Sequence, residues 1–80
     1  DAALAQYQKW DAVVRHYEET ALKNAGLLIA TANHKINAGQ INYLEWSLLI
    51  GQAVAIKTNY IDAMFERNRA VVELKYFVNN

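Results

Sequence analysis

Trp46, Leu49, Ala53, Ile56, Tyr60, Ala63, Arg67, Ala70, Leu74 and Phe77 recur at alternating steps of three and four. Only Arg67 interrupts the apolar series. A seam sustained at this spacing marks a helix packed lengthwise against another helix. A second apolar row runs beside it through Tyr43, Ile50, Val54, Ile61, Met64, Phe65 and Val72. One narrow seam serves one neighbour. Two rows imply neighbours on more than one side.

The first half repeats the pattern. Ala3, Tyr7, Trp10, Val14, Tyr17 and Ala21 step by four and three, and Ala25, Leu28, Ala32 and Ile36 follow. The step from Ala21 to Ala25 is an extra four, a stutter that locally unwinds a coiled coil.

Between the halves stands Asn37-Ala38-Gly39-Gln40-Ile41-Asn42. Gly39 suits the left-handed conformation that ends a helix. Asn42 is a good N-cap, and Glu45 three residues later completes a variant of the capping box. The Glu45 carboxylate also lies near the positive end of the helix that follows. The chain is therefore expected to be all-α: a long antiparallel two-helix hairpin, with helices over about 2–37 and about 42–78 and a turn at 38–41. At 1.5 Å per residue each helix is roughly 50 Å long. The seam then contains Trp10, Val14, Tyr17, Leu28 and Ile36 on one side. Trp46, Leu49, Ile56, Tyr60 and Leu74 lie on the other.

Reflection through the turn pairs residues whose numbers sum to about 78. Trp10 falls near Arg67, which sets a guanidinium against an indole face. His16 falls near Asp62. Gly26 and Gly51 fall at one level, where they would allow close helix approach or a bend.

Eighty residues make at most one small domain. Proline is absent and glycine occurs three times, as long helices require. A lone hairpin of this size leaves much apolar surface in water, so association into a bundle or a homo-oligomer is expected.

Several functions are disfavoured. Eight basic and eight acidic residues balance to zero net charge with no like-charged block. Nucleic-acid binding needs clustered cations, and none is expected here. The same balance, with aromatic-rich seams, disfavours a membrane-surface helix pair. No apolar run approaches the roughly 20 residues of a spanning helix. Cysteine is absent. His16 and His34 lie about 27 Å apart along one helix and share no ligand pattern, so no metal or other cofactor is expected. Asp62 and Glu66, one turn apart, form no acid–base dyad and repel mildly. No nucleophile elbow, phosphate loop or catalytic triad order appears, so no enzyme activity is expected.

The segment Ala32-Asn33-His34-Lys35-Ile36-Asn37-Ala38-Gly39-Gln40-Ile41-Asn42-Tyr43-Leu44-Glu45-Trp46 resembles part of the TolC-like outer membrane efflux proteins. Tyr17-Glu18-Glu19-Thr20-Ala21-Leu22 and the stretch from Ala63 to Leu74 extend the likeness. It is nearest to the TolC-like tails fused to heavy-metal RND efflux pumps of the CusA/CzcA type. Ile36 stands where that family usually has an aromatic, Asn42 replaces Ser or Thr, and Glu45 replaces Asp. A proline common near Lys23 is missing.

The resemblance implies a structural segment of a periplasmic α-helical tunnel in the cell envelope, whose tip meets a periplasmic adaptor protein. Carried over by position, Ala38, Gly39, Gln40, Ile41 and Asn42 are the partner-binding tip. The β-strands and second repeat of such a channel lie outside these eighty residues. The chain is thus expected to be a fragment of a larger channel protein, meeting the membrane only through other parts of the parent. The alternative is a self-associating hairpin that forms a four-helix bundle without a transport role.

Overall fold

The computed structural model describes residues 2–78 and the side chains of residues 2–76. The side chain of Phe77, the last seam position, lies outside them. Helix α1 spans Ala2–His16, a π segment spans Tyr17–Ala21, α2 spans Leu22–Asn37 and α3 spans Tyr43–Val78. There is no strand among the described residues. The first three elements form one continuous rod, and α3 returns along it. The molecule measures 61 × 19 × 13 Å.

The turn is fixed by local chemistry. Ala38 closes α2 near the bridge region (φ −83°, ψ −1°), and Gly39 takes the left-handed conformation at φ 72°. The Gln40 amide donates to the Lys35 carbonyl at 2.9 Å and the Gly39 amide to the Ile36 carbonyl at 3.1 Å. This pair of bonds is a Schellman closure, which satisfies carbonyls that the helix end would otherwise leave open. Two residues on, Asn42 starts α3. The Glu45 amide donates to Asn42 Oδ1 at 2.8 Å, and the Asn42 amide donates to Glu45 Oε1 at 3.2 Å. The capping box is therefore closed in both directions.

The reflected register holds along the rod. Trp46 Nε1 donates to Asn33 Oδ1 at 2.9 Å, the Tyr60 hydroxyl to Glu18 Oε2 at 2.8 Å, and Arg67 Nη1 to Asp11 Oδ1 at 3.3 Å. Between these links lies a thin core. Its buried members are Ala3, Val14, Ala25, Ala32, Ala53, Ala63 and Ala70. The larger seam residues flank them half-buried: Trp10, Tyr17, Leu28, Ile36, Trp46, Leu49, Ile56, Tyr60 and Leu74. Alanine has no side-chain bulk to hold two helices apart, so the backbones approach closely at these levels.

The helix expected over about 2–37 is not α-helical throughout. At the stutter the chain forms a π segment, and the Leu22 amide reaches back five residues to the Tyr17 carbonyl. A π turn holds one residue more than an α turn. The surplus residue between Ala21 and Ala25 is absorbed locally there, rather than by gradual unwinding.

Candidate docking tip and assembly face

Two features stand out from the hairpin's packed seam. The first is the tip. Ala38, Gly39, Gln40 and Asn42 are exposed and Ile41 is half-buried. Every one of these residues is held by the two capping systems or lies between them, so the tip is a stiff projection with polar ends. Beside it Tyr43 and Trp46 stack at 5.6 Å between ring centroids, with Tyr43 73% exposed. Leu44 and Leu48 are also exposed near this end.

The second feature is the outward row of α3. Val54, Ile61, Phe65 and Val72 are exposed, Phe65 at 68%. Ile50 and Met64 sit half-buried at its inner edge. The arrangement inverts the usual order of burial. Small residues fill the core, while Leu, Ile, Phe and Tyr side chains face outward. Single exposed apolar residues are ordinary; here they continue as a row along one helix flank.

Polar contacts sort onto the seam edges. Asp11 accepts from Arg67 across the hairpin and pairs with Arg15 at 3.0 Å along its own helix. Arg67, the residue that broke the apolar series, thus has an anionic partner at the seam edge. Burial of its aliphatic stem with a paired head keeps the interruption tolerable. Arg69 and Glu66 approach at 3.7 Å on the solvent face, a contact of little energetic weight. The Tyr60 hydroxyl has its pKa raised above the usual 10.0, first by its hydrogen bond to Glu18, then by partial burial and the Glu18 charge; Arg67 opposes the shift.

Two sequence expectations need correction. Arg67 does not lie on the Trp10 indole. It turns to Asp11, because an ion pair at a half-buried seam outweighs a ring contact; Lys9 Nζ instead stands 5.0 Å from the Trp10 ring centre. His16 meets Tyr17 edge-on at 6.4 Å. Gly26 and Gly51 do not permit close approach. Both are exposed, and a methyl group added at either meets nothing within 4 Å. Close approach is the work of Ala25 and Ala53, whose numbers sum to 78.

Among the described residues no group of three His, Cys, Asp or Glu is placed to hold a metal ion, and no helix is long and apolar enough to cross a membrane. A polar hollow lined by Gln6, Trp10, Glu66, Arg69, Ala70 and Glu73 is an open trough on the flank of the rod. The geometry defines an all-α helical hairpin with a capped tip and one apolar flank. Compared with protein-family models, curated proteins and solved structures, the chain matches none.

Proposed function

We propose that this hairpin is a stave of a larger helical assembly, joined to its neighbours through the outward apolar row of α3 and presenting its tip to a partner protein. The observation that carries this reading is the inverted burial: a core of alanines and one valine, with Phe65, Ile61, Val54 and Val72 outside. A hairpin so built gains further hydrophobic stabilisation only when that row is covered, at roughly 25 cal/mol for each Å² of apolar surface removed from water.

The finer reading rests on the likeness of the tip segment to TolC-like proteins. The assembly is then a periplasmic tunnel of an outer-membrane efflux channel of the heavy-metal RND type, and the partner is an adaptor protein contacting Ala38, Gly39, Gln40, Ile41 and Asn42. The role is mechanical: packed staves that shift slightly against one another open or close the tunnel end. The stiff tip and the length of 61 Å support this reading. Photo-crosslinking from Gln40 in the full-length parent tests it. Capture of an adaptor protein is expected. Its absence from Gln40 and Asn42 alike, alongside successful capture of a neighbouring stave from Phe65, contradicts the docking role.

The same apolar row favours a second reading, a hairpin that pairs with its own copy as a four-helix bundle. The two separate in the parent protein. Transport that survives Phe65→Glu, with no partner capture at the tip, contradicts both the tunnel and the adaptor contact and leaves self-association as the role.

A further inference from the structure

The π segment is where the two halves of the first rod change phase. Counting back from Ala25 in regular heptad steps, an uninterrupted α-helix would place Ala21, Glu18, Val14, Asp11, Tyr7 and Leu4 on the seam. Two carboxylates would then face the alanine core, where a charge without a partner is costly. With the extra residue absorbed, Tyr17, Trp10 and Ala3 take those places. Asp11 and Glu18 move to the seam edge, where Arg67 and Tyr60 reach them. Tyr60 touches the π segment twice: its hydroxyl bonds Glu18 at 2.8 Å, and its ring lies 6.1 Å from that of Tyr17.

We propose that the Tyr17–Ala21 π turn is a register adaptor with Tyr60 as its latch. It stores one residue, and so sets the rotational phase of residues 2–16 against α3. A one-residue change of phase is a rotation of about 100°. The adaptor makes the half near the chain ends rotationally distinct from the half near the tip, with the latch holding the aromatic phase. The inference does not depend on what the hairpin assembles with.

Removal of Thr20, an exposed member of the turn, tests the adaptor. The shortened chain sets Ala3 and Ala25 three heptads apart, with Leu22 taking the seam position of Ala21, so its melting temperature is expected to equal or exceed that of the parent. A disulfide between Asp11→Cys and Arg67→Cys should form as readily as it does with Thr20 present. Removal of Thr58, an exposed residue of α3 with no surplus to give up, should lower the melting temperature and lose that disulfide. Equal destabilisation by the two deletions overturns the adaptor. The latch is tested by Tyr60→Phe: amide exchange over residues 17–22 should quicken at least tenfold while residues 28–36 stay unchanged. Uniform or unchanged exchange removes Tyr60 from the device.

Discussion

Asn42, Glu45 and Gly39 do more for this fold than their exposure suggests. Each acts through its own backbone neighbourhood, so their roles are readable from sequence. Replacement of Asn42 by Ala should cost about 0.5–2 kcal/mol, the usual loss for an N-cap. Gly39→Ala should cost about 1–2 kcal/mol, because φ 72° brings a Cβ against the following carbonyl. Urea unfolding of each variant should show a lower midpoint with an unchanged slope. An unmoved midpoint would mean that the turn is held by something else. The cross-helix polar pairs were less legible. Glu18 with Tyr60 and Asp11 with Arg67 obey the sum of 78, but that sum states only the level on the rod. Which side chains meet depends on rotational phase, and the π turn sets that phase. Tyr60 also makes stability pH-dependent. Its raised pKa means that the phenol stays neutral in the folded chain after it would ionise unfolded. The stabilisation is present in full below pH 10 and is lost as pH rises through the raised value. Thermal melts from pH 8 to 11.5 should show a steeper alkaline decline than those of Tyr60→Phe; parallel curves would contradict the Glu18 contact.

At the scale of elements, α3 was plain from the start, since ten positions keep one heptad phase without a break. The first rod was harder. Its stutter was visible, but a surplus residue is absorbed either by gradual unwinding or by a local π turn. Both give the same seam, so the apolar pattern alone does not choose between them. A helix that absorbed nothing would bury Asp11 and Glu18, so the surplus must be taken up, and the bond from the Leu22 amide to the Tyr17 carbonyl shows that the π turn does it. The glycines illustrate the opposite error. Placing Gly26 and Gly51 at one level suggested close packing, but a level is not a face, and both point into open space. Gly26→Ala and Gly51→Ala should therefore each stabilise the hairpin, by about 1 kcal/mol. A fall in melting temperature for either would place a close neighbour at that face.

The whole molecule is long and thin, and its core has little volume to hide. Among the described residues seven are buried, six of them alanine, between two helices that carry their larger apolar side chains outside. Two apolar rows on α3 were legible in the sequence. Which row would be covered was settled by the turn, because a tight hairpin can present only one of them to its partner helix. The other is left as the outward row. The central claim is that this row is an assembly face, and sedimentation equilibrium of the 80-residue chain across a hundredfold range of concentration tests it most directly. The expected result is a concentration-dependent oligomer that Phe65→Glu with Ile61→Glu converts to a helical monomer. A wild-type chain that remains a helical monomer throughout would contradict the account.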